Sequence, residues 1–352
     1  MSIAALARPE IRNLCAYESA AACDHGLKLN ANESPVATGT RDTKGLNRYP
    51  ARRPAKLTHM MAAHYGVAVE NVLVTRGSSE GIDLLIRTFC TTGQDNVLLT
   101  PPVFDMYQVY ASIQGARIIN VPLLAKDDFA VDTGALLSAC DQYTKLIFLC
   151  SPNNPLGPVV PKNEILQVLD KRTGQSVVIL DEAYIEYSDT DSLASLVTRY
   201  DNLVVLRTLS KGLALAGARC GAVIASAGLI KLLDSVLAPY ALSSPAIASA
   251  EHALSNTQLA LSNTAIRKIV DERERLCREL ATCKAVKKIW PSQANFLFVR
   301  FVCLDEVGRC LEEAGIAIRT YGNDSPMQDC ARITVSLEQD NKRLIDAIRS
   351  LN

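Results

Sequence analysis

The sequence predicts an α/β protein in which a large domain, built on a mostly parallel seven-stranded sheet, precedes a smaller α+β domain. Three observations carry that reading. Short β-branched runs recur between helix-length amphipathic segments, the alternation that builds βαβ units. Those runs are apolar on both faces, as strands are when helices cover a parallel sheet from either side. From about Pro239 the texture changes to long helical stretches followed by further strand patterns, and a chain of 352 residues has room for a second core.

In chain order, residues 1–45 hold little regular pattern and several Asn, Pro and Gly signals. They are expected to form an arm that contributes to the small domain and covers the functional site. Residues 46–238 carry the strand patterns "NVLVT" (71–75), "NVLLT" (96–100), "ARIINVPL" (116–123), "KLIFLC" (145–150), "SVVILD" (176–181), "NLVVLRT" (202–208) and "CGAVIAS" (220–226). Residues 239–352 carry the helical "NTAIRKIVDERERLCRELATC", then "ANFLFVRF", a helix near 304–314, "GIAIRTY", "ARITVS" and a closing helix. No internal repeat interrupts this order.

Composition narrows the partners. Lysine plus arginine equals aspartate plus glutamate, 37 of each, so no bulk field draws the chain to nucleic acid or an acidic membrane. Its apolar runs fall far short of the about 20 residues that span a bilayer, and the N-terminal stretch has no signal-peptide core. Eleven cysteines are scattered with no C-x-x-C pair and no His/Cys cluster, so metal-site spacing is absent. Such thiols fit a reducing cytoplasm.

In doubly wound sheets ligands sit beyond the carboxyl ends of the strands, where the polar punctuation of this chain falls. After "NVLVT" comes "RGSSEG", which places Ser78 and Ser79 at a helix start, a place that favours an anion such as phosphate; an ordinary N-cap also accounts for it. After "KLIFLC" comes "SPNNPLG", a rigid turn able to aim the Asn154 amide at a ligand oxygen, although turn formation alone explains the composition. After "SVVIL" comes "DEAYIEY": Asp181 at the end of a buried strand needs a cationic partner, and Tyr184 lies close behind. Then "RTLSKGLALAGARCG" supplies Thr208, Ser210, Lys211 and Arg219. Lys211 alone reads as a solvated cation with a buried stem. Together these groups describe one ligand: a phosphate, a ring nitrogen that can be protonated, a phenolic oxygen and an aldehyde for the lysine, which is pyridoxal 5'-phosphate.

The order "GSSE", "SPNNPLG", "DEAY", "LSK" and "ARCG" resembles the fold-type I, aspartate-aminotransferase-like superfamily. "LNANESP" (29–35), "LNRYP" (46–50), "PPVFDMY" (101–107) and "DEAYIEY" narrow the resemblance, which runs from about Arg12 to the last helix, to the histidinol-phosphate aminotransferase family. It implies reversible transfer of an amino group between histidinol phosphate and 2-oxoglutarate, giving imidazole acetol phosphate and glutamate. Related activities on the same fold are threonine-phosphate decarboxylation and aromatic transamination. A cofactor-binding regulator on this fold normally carries an added DNA-binding domain, of which the arm and the neutral charge show no sign.

The resemblance implies that Lys211 is the covalent anchor and the general acid/base, and that Asp181 pairs with the ring nitrogen. Tyr184 and Asn154 would hydrogen-bond the phenolic oxygen, and Tyr107 would stack on the ring. Ser78, Ser79, Thr208, Ser210 and Arg219 would hold the phosphate, joined by Tyr49 from the partner subunit of a homodimer with shared sites. Arg319 and Arg332 would form a two-arginine site for the substrate phosphate that also accepts glutamate carboxylates, with Tyr17 and Asn30 of the arm closing over the substrate. Leu156 stands where the family usually has threonine, and Gly212 and Leu213 stand where alanine or phenylalanine is common. The small residues of "GLALAG" are expected to let the backbone pass close to the cofactor.

Overall fold

The computed structural model describes residues 3–17, 29–37, 45–321 and 326–351. Each of the seven runs becomes a strand: β1 (Val72–Thr75), β2 (Asn96–Leu99), β3 (Arg117–Asn120), β4 (Thr144–Cys150), β5 (Val177–Asp181), β6 (Leu203–Thr208) and β7 (Gly221–Ala225). They form one sheet in the order β1-β7-β6-β5-β4-β2-β3, with β7 antiparallel to both of its neighbours and the remaining pairs parallel.

Alternation along each strand sends successive side chains to opposite faces. Val178 and Leu180 of β5 join Leu203 and Val205 of β6 in one apolar layer, whereas Val177, Ile179, Val204 and Leu206 join the other. All eight side chains are essentially inaccessible, so a helix layer covers the sheet on each face. The described N-terminal residues belong to this large body: Ile3 and Ala7 are buried in the same cluster as Phe89 and Leu229, and the Arg8 amide donates to the Thr88 carbonyl. Of the arm, Ile3 and Ala7 are covered by the large sheet's helices, whereas Leu14 and Tyr17 remain exposed.

A second, four-stranded antiparallel sheet has the order β10-β11-β9-β8, from β8 (Val286–Trp290), β9 (Phe296–Phe301), β10 (Arg319–Thr320) and β11 (Cys330–Thr334). Helices Asn256–Leu280, Leu304–Glu313 and Glu338–Arg349 pack on it through Leu276, Leu280, Val307, Leu311, Leu344 and Ile348. The sequence pattern misses β8, whose "VKKIW" puts exposed Lys287 and Lys288 beside buried Trp290, the composition of an edge strand. "GIAIRTY" yields only the two-residue β10. Among the described residues no helix is long and apolar enough to cross a membrane, and no group of three His, Cys, Asp or Glu could hold a metal ion.

The sheet's register positions the site. Thr75 of β1 and Thr208 of β6 both pair with Gly221, and Cys150 of β4 pairs with Asp181 of β5, so these strand ends form one edge. Gly221 is required there: a Cβ would lie 2.7 Å from the Arg207 carbonyl oxygen and 2.8 Å from the Gly77 carbonyl carbon and the Ser78 nitrogen. Gly221→Ala should therefore lower the denaturant midpoint, at a cost of about 1–3 kcal/mol, and weaken cofactor binding with it. A midpoint equal to wild type would show that the edge has slack.

Candidate active site

At that edge lies a cleft of about 210 Å³ lined by Ser78, Ser79, Asn154, Asp181, Tyr184, Thr208, Ser210, Lys211 and Arg219, together with Phe104, Cys150, Ala183 and Ala216. One end is built for an anion. Ser78 and Ser79 open the helix Gly77–Phe89, whose first backbone N–H groups have no partner within the helix. The Thr208 hydroxyl donates to Ser210 Oγ at 2.9 Å, and Arg219 Nη1 approaches the same oxygen at 3.4 Å. Arg219 has φ 54°, a left-handed conformation that turns its side chain back across the helix start. A Cβ on Gly77 would sit 3.0 Å from Arg219 Nη2, so the absence of a side chain there opens the cradle.

The middle of the cleft holds Asp181, which is 3% exposed. Burial raises its pKa; a hydrogen bond from the Tyr107 hydroxyl at 2.7 Å, one from the Ala183 N–H at 3.1 Å and the charge of Lys211 act in the opposite direction. A cation within the cleft would complete the compensation. Lys211 follows β6, and its Nζ stands 5.5 Å from the centre of the Tyr184 ring. Burial, then Arg332, then Arg219 lower its pKa below the ordinary 10.5, which favours the neutral, nucleophilic amine. Asn154 Nδ2 donates to the Tyr184 hydroxyl at 3.3 Å.

Behind the cleft, residues that sequence reasoning passed over hold Lys211 in place. The Tyr187 hydroxyl donates to the Lys211 carbonyl at 3.0 Å. Arg207, in the strand that leads to Lys211, pairs with Glu186 at 2.8 Å and Glu182 at 3.6 Å and lies 4.7 Å from the centre of the Tyr65 ring. Burial alone would lower the Arg207 pKa, but Glu186, Tyr65 and Glu182 raise it, so it stays charged. The signal was present as the two glutamates that accompany Asp181 in "DEAYIEY". Gly212 serves the same cluster: a Cβ there would lie 2.8 Å from Glu186 Cγ. Its smallness admits Glu186 to the cluster.

Arg332 and Arg319 are directly opposite each other on β11 and β10, so their side chains share a face of the small sheet. Arg332 Nη1 donates to Asn154 Oδ1 at 2.5 Å and its guanidinium lies 5.3 Å from the centre of the Phe296 ring, whereas exposed Arg319 meets Asp105 at 3.9 Å. Leu156 faces none of this; it is buried with Trp290, Phe298 and Cys330.

Six expected residues are not among those lining the cleft: Arg319 and Arg332, which stand beside it on the small sheet, and Tyr107, Tyr49, Tyr17 and Asn30. Tyr107 does not stack in it: its ring is wholly buried against Phe148, with centroids 4.7 Å apart, and only its hydroxyl reaches the site, through Asp181. Phe104, three residues earlier, is the aromatic side chain of this segment that lines the cleft, because the packing of helix Met106–Gln114 turns Tyr107 inward. Tyr49 is 53% exposed and stacked on Tyr240. Tyr17 lines a different hollow with Arg12, Arg52 and Asp234, and Asn30 is exposed and is not among the lining residues.

These groups fit pyridoxal 5'-phosphate: an anion cradle kept open at Gly77, a buried carboxylate short of positive charge, an amide and phenol pair, and a lysine of lowered pKa. Fold and cleft together define a class of enzyme that carries this cofactor on a lysine. The family model described as aminotransferase class I and II matches residues 10–348, and the chain belongs to that family. It is 43% identical over 352 residues to a histidinol-phosphate aminotransferase of Xylella fastidiosa (strain 9a5c), covering 98% of this chain and 96% of that protein. It is 42% identical to one of Xanthomonas euvesicatoria pv. vesicatoria (strain 85-10), covering 99% and 97%. A crystal structure of histidinol-phosphate aminotransferase from Sinorhizobium meliloti in complex with pyridoxal-5'-phosphate superposes with a TM-score of 0.77 at 25% identity, covering 87% of this chain and 84% of that one.

Borohydride should fix the cofactor to the peptide carrying Lys211, and Lys211→Ala should trap none; label elsewhere would remove Lys211 from its role. In the cofactor-free protein Lys211 should titrate below 10.5. The unfolded chain then holds that proton to higher pH, so this group's destabilising contribution is full below the folded pKa and fades as pH rises toward 10.5. Arg332→Gln should move the midpoint up, read by NMR of isotopically methylated lysine.

Proposed function

We propose that this chain is a histidinol-phosphate aminotransferase that reversibly exchanges an amino group between histidinol phosphate and 2-oxoglutarate. The observation that carries the substrate assignment is the cross-strand pair of Arg319 and Arg332, with Arg332 hydrogen-bonded to the cleft residue Asn154. A second anion site beside the cofactor cradle suits a substrate bearing phosphate, and guanidinium forks accept carboxylates as well. The names of the relatives point the same way.

When bound, pyridoxal 5'-phosphate supplies an electrophilic carbonyl carbon for amines and a ring that draws electrons from the carbon bearing the captured nitrogen. Lys211 would be the residue that holds the group covalently between turnovers. Its Nζ, with proton affinity lowered by burial, Arg332 and Arg219, would be the base for the proton on the substrate carbon and the acid that returns that proton to the cofactor-derived carbon. Asp181 would hold a proton on the ring nitrogen, and its buried charge would strengthen the effect of that proton. Asn154 and Tyr184 orient the phenolic oxygen, while Ser78, Ser79, Thr208, Ser210 and Arg219 hold the phosphate. Phe104 would offer the aromatic surface of this segment to the group. Arg319 and Arg332 hold the distal anion of the substrate, with Tyr17 and Asn30 of a partner or of a closed arm completing the cover.

The chain works as a homodimer in this reading, with the arm at 1–45, the large domain at 46–238 and the small domain at 239–352. Support for sharing comes from Tyr49, which is outside its own cleft but lines a hollow that shares Ser243 and Pro245 with the one beside Arg219. A two-fold axis could carry Tyr49 to the partner's phosphate. The unpaired cysteines among the described residues favour a cytoplasmic setting.

Histidinol phosphate should bleach the visible absorbance of the cofactor-loaded protein, and 2-oxoglutarate should restore it; an unchanged spectrum refutes the assignment. Arg332→Ala and Arg319→Ala should each raise KM for histidinol phosphate about 10- to 100-fold, the worth of a charge-assisted hydrogen bond. Tyr49→Phe should weaken cofactor binding about tenfold, and the protein should sediment as a dimer. Release of carbon dioxide from phosphothreonine without amino transfer would point to the decarboxylase instead.

A further inference from the structure

The Asp181 carboxylate is the one deeply buried acid that faces the cleft, and what surrounds it is specific. Among the described residues two groups donate hydrogen bonds to it: the Ala183 N–H to Oδ1 and the Tyr107 hydroxyl to Oδ2 at 2.7 Å. Tyr107 has no exposed surface; its ring lies flat on Phe148 and edge-on to Phe104 at 5.7 Å, and the buried Cys150 thiol, a weaker acceptor than a carboxylate, is the other polar neighbour of its hydroxyl. Two donors on two oxygens fix the plane of the carboxylate, and each oxygen keeps a second lone pair. The phenol remains a donor: burial, and then the charge of Asp181, push its own ionisation far above the ordinary range.

We propose that Tyr107 is a positioning residue of the reaction: its buried hydroxyl sets the orientation and the proton affinity of Asp181, and through Asp181 the protonation of the cofactor's ring nitrogen. The proposal rests on the aminotransferase reading above, and goes beyond it by giving Tyr107 a role on the edge of the ring rather than on its face. A proton between the ring nitrogen and a carboxylate moves toward whichever is the stronger base. Donation from Tyr107 withdraws charge from the carboxylate and leaves the proton on nitrogen. Removing that donor leaves Oδ2 buried and short of a partner, so the carboxylate competes harder for the proton.

The test uses cofactor labelled with ¹⁵N in the ring, bound to the full-length protein. In Tyr107→Phe, which keeps the ring and its packing, the ¹⁵N shift should move toward that of unprotonated pyridine. The dissociation constant of the cofactor should rise about tenfold, the lower range for a lost hydrogen bond to a charged group. Replacing Tyr107 with 3-fluorotyrosine, a stronger donor of nearly the same shape, should move the shift the opposite way. Thermal melting of the cofactor-free variants separates folding from tuning, and if the phenylalanine variant does not fold the fluorinated one decides alone. A ¹⁵N shift that stays at the wild-type value in the folded variants overturns the proposal, whatever happens to stability. Wild-type protein that binds no cofactor would instead overturn the functional reading on which it stands.

Discussion

A carboxylate buried at the end of a central strand is the constraint around which this site is arranged. Asp181 lies in the sheet's interior, where an isolated negative charge is expensive, and its own hydrogen bonds only partly offset that cost. The cleft therefore has a standing preference for a cation beside it. Lys211 supplies some of that charge from one side, and a protonated ring nitrogen would supply it from within. The same desolvation that makes Asp181 demand a partner lowers the proton affinity of Lys211, so one environment prepares both groups.

Holding the two at a fixed separation falls to a buried ionic cluster. Arg207 ties the strand leading to Lys211 to Glu182 and Glu186 of the segment that follows Asp181, and Tyr187 of that segment holds the Lys211 carbonyl. Arg273 extends the tie, donating to the Tyr187 carbonyl at 3.1 Å and the Ala294 carbonyl at 3.0 Å, so the long helix of the second body is fastened to the wall of the cleft. Removing one member of such a cluster leaves charge stranded in low dielectric, which makes the arrangement all-or-none. The Asn154–Arg332 contact is the matching link on the substrate side.

The departures from the family pattern follow from the same packing. Leu156 points away from the cleft into the apolar seam of Trp290 and Phe298, where threonine's hydroxyl would need a partner. Gly212 makes room for Glu186. Neither is among the residues that line the cleft.

Strand runs, the turn "SPNNPLG", the helix start at Ser78 and the run of Thr208, Ser210, Lys211 and Arg219 were all legible in the sequence, since each depends on local alternation, turn chemistry or the identity of neighbouring residues. β8 was not legible, because an edge strand with two exposed lysines lacks the apolar signature of a buried one. Phe104 and Tyr107 lie three residues apart in one short segment, and chemistry alone gave no reason to send one to the cleft and the other into the core. That choice was made by how helix Met106–Gln114 packs on Phe148, a contact between residues distant in the chain. The sequence by itself determined the fold class, the order of the motifs and the cofactor they describe. Only the tertiary structure decided which face each side chain presents and what stands behind it, because those depend on long-range packing that no local pattern encodes.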